Sequence, residues 1–217
     1  MSVRILLVDD HQMMREGLRA LLAHEPDFEI VGEASDGRTA LELMRSLSPN
    51  VVVMDVGMPE LNGVEATRRI RAENEHVRVI ALSTHTDKRY VHHMLEAGAS
   101  GYVLKIAAHD ELVRAVRAAS VGKTYLSPEI AGFVVERSTH PQAGKEVSAY
   151  STLGAKEREV LQLVAEGKTS AETAKEMHIS LKTVETHRRN IVQKLGLHGT
   201  AELTKYAVRE GLTSLDG

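Results

Sequence analysis

Val51-Val52-Val53-Met54-Asp55-Val56-Gly57-Met58-Pro59 is the stretch whose reading decides the fold. Four apolar residues in succession, mostly β-branched, make a short strand buried on both faces, as in a parallel sheet. The strand stops on a carboxylate, and Gly57 and Pro59 break it at once. Open α/β sheets bind ligands outside the carboxyl ends of their strands, so Asp55 stands where such a fold does its chemistry. Taken alone, an aspartate there is accounted for by capping the following turn. Three more strand ends shift the balance. Val3 to Val8 runs into Asp9-Asp10, Arg78 to Leu82 into Ser83, and Gly101 to Leu104 into Lys105. Three acids, a hydroxyl and a lysine at successive strand ends exceed what turns require.

Working outward, strand and helix patterns alternate through the first 120 residues, which predicts a parallel sheet covered by helices. Met14, Leu18, Leu21 and Leu22 repeat at helical spacing, Phe28 to Ala34 reads as the second strand, and Ala40 to Met44 marks a helix ended before Pro49. Val64 to Ile70, Tyr90 to Leu95 and Leu112 to Val116 supply three more helices. The expectation is a flavodoxin-like (βα)₅ domain of strand order 2-1-3-4-5, with right-handed crossovers, over residues 1–122. In that order strands one, three, four and five lie close enough for their ends to converge.

Residues 123–150 read as a linker, with Ser127-Pro128-Glu129 opening a short helix to Val135 and Ser138 to Lys145 polar and aperiodic. From 151 to 217 the pattern is all helix, predicting a second, smaller all-α domain. Val160, Leu161, Leu163 and Val164 mark one helix ended by Gly167, and Ala171 to Met177 a short second one. Ser180 is a good N-cap for a third helix running to Leu195 before Gly196, and Leu203 to Val208 marks a fourth.

Composition sets the outer limits. The 217 residues contain no cysteine, which excludes disulfides and thiolate metal or nucleophile chemistry. No apolar run approaches the ~20 residues of a membrane span, and no secretory signal is expected. A soluble, cytoplasmic protein with no membrane partner is expected. Residues 151–217 hold ten Lys/Arg against nine Asp/Glu, and residues 1–150 seventeen against twenty-one. An acidic half and a near-neutral tail fit two modules.

Asp9, Asp10 and Asp55 gathered in one crevice would be costly without a cation. Oxygen-only ligands without His or Cys suit Mg²⁺, with Asp10 and Asp55 as direct ligands, Asp9 direct or through water, and a backbone carbonyl near Gly57. A carboxylate beside such an ion can attack phosphorus to give an aspartyl phosphate. Lys105 and the Ser83 hydroxyl would then hold the phosphoryl oxygens. In the tail, Val184, Ile191 and Leu195 share one face of the third helix, and Lys182, Glu185, Thr186, Arg189, Asn190 and Gln193 the other. A short helix, a tight turn and a longer helix with a basic polar face fit a DNA-reading helix-turn-helix.

Asp9-Asp10, Asp55 to Pro59, Leu82-Ser83 and Gly101 to Lys105 resemble, in order and spacing, the receiver motifs of bacterial two-component response regulators. Lys156 to Leu161 and Thr183 to Ile191 resemble the LuxR-type DNA-binding module, and the combination is similar to the NarL/FixJ class over nearly the whole chain. The resemblance implies that Asp55 accepts a phosphoryl group from a sensor histidine kinase and that Ser83 and Tyr102 shift in response. It also implies that Glu185, Thr186 and Arg189 reach base edges of double-stranded promoter DNA, with Lys182, Thr183 and Arg188 nearer its phosphates. A homodimer of the phosphorylated form is expected to read an inverted repeat. Departures from the pattern are Ile106, where receivers often have proline, Gly154 in place of a Ser/Thr cap, and Ser170 in place of Asn.

The expectation is a regulator rather than an enzyme. Two alternatives share parts of the pattern. A Mg²⁺-dependent aspartate-nucleophile phosphatase would carry its nucleophile in an Asp-x-Asp pair after strand one, whereas Asp9 and Asp10 are adjacent. A regulator that binds DNA without phosphate signalling would not need the complete acid set.

Overall fold

The computed structural model describes residues 2–84, 88–139 and 148–213. The chain forms two compact units, residues 1–143 and 144–217. In the first, β1 (Val3–Val8), β2 (Phe28–Ala34), β3 (Val51–Asp55), β4 (Arg78–Ser83) and β5 (Gly101–Leu104) alternate with α1 (Gln12–Leu22), α2 (Gly37–Leu47), α3 (Gly63–Glu73), α4 (Lys88–Glu96) and α5 (Ala108–Ser120). A 3₁₀ turn, Lys105–Ala107, separates β5 from α5.

All strands pair in parallel in the order β2-β1-β3-β4-β5, and a two-residue strand β6 (Tyr125–Leu126) extends the sheet beyond β5. Alternate strand residues feed opposite cores. Ile5, Leu7, Val51, Val53, Ile80, Leu82 and Val103 pack with Leu18 and Leu22 of α1 and Leu112 and Val116 of α5. Leu6, Val8, Val52, Met54 and Val79 pack with Met44 of α2 and Ile70 of α3. The continuous apolar run of β3 follows from this, because a strand with helices on both faces has no wet side.

The first unit runs past the expected boundary at 122. β6 pairs with β5, and α6 (Pro128–Thr139) follows directly. Without β6, β5 would present an edge of unpaired backbone groups, which β6 covers. The segment expected to be linker thus contributes one strand and one helix here, while its residues 140–147 lie outside the described residues.

The second unit comprises α7 (Ala149–Thr152), α8 (Ala155–Ala165), α9 (Ser170–Glu176), α10 (Leu181–Leu195) and α11 (Thr200–Arg209). Val160, Leu161, Leu163 and Val164 of α8, Val184 and Ile191 of α10, and Leu203 and Ala207 of α11 are buried. Thr169 and Ser180 cap α9 and α10, and Gly196 closes α10 in the left-handed conformation (φ 64°). Gly154 caps α8 without a side chain, and the Glu157 carboxylate accepts its backbone N–H at 2.8 Å.

Candidate functional site

Register builds the first site. Val8 lies opposite Met54, which sets Asp9 level with Asp55; Asp55 lies opposite Leu82, just before Ser83; and Ser83 lies opposite Leu104, just before Lys105. The sheet therefore brings all four strand ends to one edge. Gly63, at the start of α3, keeps that edge tight: a Cβ there would stand 2.0 Å from the Asp55 carbonyl oxygen.

Side chains complete the convergence. The Lys105 Nζ lies 2.8 Å from Asp9 Oδ2 and 3.1 Å from Asp55 Oδ2. The other Asp55 oxygen accepts the Val56 N–H at 2.8 Å. Asp9, Asp55 and Ser83 are buried, Lys105 is mostly so, and Asp10 is partly exposed. Burial pushes the Asp55 carboxyl up to about 6 against the opposing pull of Lys105, and the neighbouring Asp9 charge pushes the same way as burial. Burial also disfavours the Lys105 ammonium, but Asp55 and Asp9 outweigh it and raise its pKa.

His11 joins these groups. Its Nδ1 lies 2.8 Å from Asp10 Oδ1 and 3.5 Å from Asp9 Oδ1. One ligand atom from each of Asp9, Asp10, His11 and Asp55 lies within 4.8 Å of the others. Three carboxylates facing one ammonium leave an excess of two negative charges, which a divalent cation matches. The donor set fits such an ion. Sequence reading found the acids and missed His11, whose proximity depends on how the chain turns after β1.

Gly57 is exposed at the start of the loop after β3. Tyr102 is fully buried, paired between Ala81 of β4 and Leu126 of β6. Ile106, in the 3₁₀ turn after Lys105, is 95% exposed, and every described peptide bond is trans.

The second candidate surface is α10. Lys182, Thr183, Glu185, Thr186 and Arg189 are exposed, while Val184 and Ile191 are buried on the opposite face. The Thr186 hydroxyl donates to the Lys182 carbonyl at 2.9 Å, and the hydroxyls of Thr183 and Ser180 are 2.8 Å apart. Arg188 differs from its neighbours: it is partly buried and donates to the Ser170 hydroxyl of α9 at 3.0 Å. Ser170, where the LuxR-type pattern favours Asn, thus ties the two helices of the motif together.

Comparison with known proteins finds a family match in each of the two units. The response regulator receiver domain model matches residues 5–117, and that of the bacterial regulatory proteins of the luxR family matches residues 151–207. The chain is 41% identical over 212 residues to the transcriptional regulatory protein LiaR of Bacillus subtilis, covering 98% of this chain and 100% of that protein. The crystal structure of a LuxR-family two-component response regulator from Aurantimonas sp. SI85-9A1 is similar, with 39% identity and a TM-score of 0.61 over 64% of this chain and 100% of that one. The response regulator ChrA of a heme-sensing two-component system is 34% identical, with a TM-score of 0.53, over 97% of this chain and 98% of that one. The chain belongs to the NarL/FixJ class of response regulators, phosphorylation-controlled DNA-binding transcription regulators in which a receiver precedes a LuxR-type helix-turn-helix domain.

Proposed function

We propose that Asp55 is the phosphoacceptor, that a sensor histidine kinase supplies the phosphoryl group, and that the modified protein binds promoter DNA in the cytoplasm through α10. The observation that carries this reading is the Lys105 ammonium held between Asp9 and Asp55 at 2.8 and 3.1 Å. It places a fixed positive charge beside a carboxylate at the mouth of a parallel sheet.

Mg²⁺ is the cation proposed for Asp9, Asp10, Asp55 and the Gly57 carbonyl; when bound, it supplies charge neutralisation to the acids and the phosphoryl oxygens. An Asp55 oxygen bonds to phosphorus as the bond from phosphorus to the kinase histidine nitrogen breaks, its electron pair remaining on nitrogen. Lys105 pairs with one phosphoryl oxygen and the Ser83 hydroxyl donates to another. The modification adds roughly −1.5 to −2 charges. Each new charge-assisted hydrogen bond contributes ~1.5–3 kcal/mol, against about 5.5 kcal/mol needed to carry a two-state switch from mostly off to mostly on. Lys105 and Ser83 come close to that figure, and Tyr102 moves with Ser83. Homodimerisation supplies the margin, because two linked reading heads raise each other's effective concentration on paired half-sites.

On DNA, Glu185, Thr186 and Arg189 face base edges, with Lys182, Thr183 and Arg188 toward phosphates. Arg188 does so from its bond to Ser170, as a positioned donor rather than a free one.

The test is intact mass after incubation with Mg²⁺ and a small acyl phosphate, followed by promoter binding. Wild type is expected to gain one phosphoryl group and bind DNA more tightly, while Asp55→Asn does neither. Equal DNA binding by Asp55→Asn and phosphorylated wild type would sink the coupling and leave a regulator that works without phosphate.

A further inference from the structure

We propose that His11 is a ligand of the receiver's cation site and tunes that site toward transition ions with a taste for nitrogen. The inference rests on the reading of Asp9, Asp10 and Asp55 as the cation's acids. It concerns the one member of the cluster that this reading does not use.

His11 occupies the N-cap of α1, where Ser, Thr, Asp or Asn would bond to the first turn. Its side chain makes no capping hydrogen bond. The backbone N–H of His11 instead donates to Asp9 Oδ1 at 2.9 Å, which turns the residue back over the end of β1. The ring follows, with Nδ1 at 2.8 Å from Asp10 Oδ1 and 3.5 Å from Asp9 Oδ1. The position thus forgoes a helix cap and points an imidazole at two carboxylates.

The span is right for one ion. The four candidate donor atoms lie within 4.8 Å of one another. Donors at about 2.1 Å from a small divalent ion are at most about 4.2 Å apart, so the set has to contract by only about half an ångström. The His11 side chain is 72% exposed, so its ring has room to make that adjustment toward the buried acids.

The chemistry follows from the donor types. Carboxylate and carbonyl oxygens suit Mg²⁺ and Mn²⁺, whereas imidazole suits later divalent ions, whose affinities climb along the series toward copper. An oxygen-only receiver site responds weakly to that order; one with an added ring nitrogen responds more steeply. His11 is therefore a specificity-determining residue, and removing its ring should weaken a nitrogen-favouring ion far more than Mg²⁺.

The experiment is calorimetric titration of the full chain as wild type, His11→Ala and His11→Gln, with Mg²⁺ alone and with Co²⁺ alone. The Co²⁺ titration is repeated in saturating Mg²⁺, so that only heat lost to competition is assigned to this site. Both substitutions are expected to weaken Co²⁺ on the order of tenfold or more and Mg²⁺ by less than about twofold. The Co²⁺ absorption bands should move toward an all-oxygen environment in both variants. Equal losses for the two ions, or unchanged affinities and spectra, would overturn the assignment of His11 while leaving the acids' role intact. A wild type that binds neither ion would overturn the cation-site reading with it.

Discussion

Asp55 is held where burial pushes its carboxyl up to about 6, from an ordinary value of 3.8. Between those values the folded protein keeps a proton that the unfolded chain has released. Stability therefore falls as pH rises through that window, and the cost is complete above about pH 6. A shift of about two units corresponds to roughly 3 kcal/mol. Asp55→Asn removes the charge and should stabilise the metal-free protein by ~1–3 kcal/mol near neutral pH, with the advantage gone by about pH 4. Urea unfolding in the presence of a chelator, repeated across pH, reads this directly; an Asn variant less stable than wild type at neutral pH would contradict it. Addition of Mg²⁺ should narrow the gap, since the cation favours the charged wild-type site.

At the scale of elements, the piece added to the sheet is tied to the strand that carries Tyr102 and leads into Lys105. Ser127, fully buried between β6 and α6, donates its N–H to the Tyr102 carbonyl at 3.0 Å. Its hydroxyl accepts the Leu104 N–H at 3.3 Å and donates to Glu111 of α5. Ser127→Ala should cost about 1–3 kcal/mol, because a buried amide and a carboxylate lose their partner together. Amide exchange at Leu104 should accelerate while that at Leu7, in the centre of the sheet, changes little. In the second unit Glu157 has the corresponding role. One of its oxygens accepts the Gly154 N–H at 2.8 Å and lies 2.6 Å from Lys194 Nζ, joining the start of α8 to the end of α10. Burial alone would raise its pKa, but Lys194 and the Gly154 N–H outweigh burial and hold it below the usual 4.5. Its contribution is therefore present above about pH 4.5 and lost as pH falls through the lower folded value. Glu157→Ala should loosen α8 by ~1.5–3 kcal/mol at neutral pH, seen as faster amide exchange in that helix, with the difference shrinking under acid.

For the whole molecule, charge and base reading should divide along α10. Arg189→Ala should cost about 1–3 kcal/mol on the preferred site and relax discrimination at one base pair. Lys182→Ala should weaken binding evenly across sequences and lower the salt-dependence slope by about 1. Competition binding on the promoter and on point-substituted sites, at several salt concentrations, separates the two. Identical behaviour of the variants would mean that α10 does not enter the groove as proposed.

The sequence by itself determined the order of strands and helices in the receiver, the β3 boundaries at Val51 and Asp55, and the caps Ser180 and Gly196. Each of these is written in local periodicity or in a single residue's backbone preference. It also marked Asp9, Asp10, Asp55, Ser83 and Lys105, because polar residues that end apolar strands stand out from their neighbours. Tertiary structure alone decided the rest. β6 has only two residues, too few for a period, and forms because β5 offers it an edge. The His11 ring meets the acids through the turn after β1, and Arg188 is drawn back to Ser170 by the packing of α9 on α10. Such contacts join groups whose spacing along the chain carries no signal, so they exist only once the backbone has folded around them.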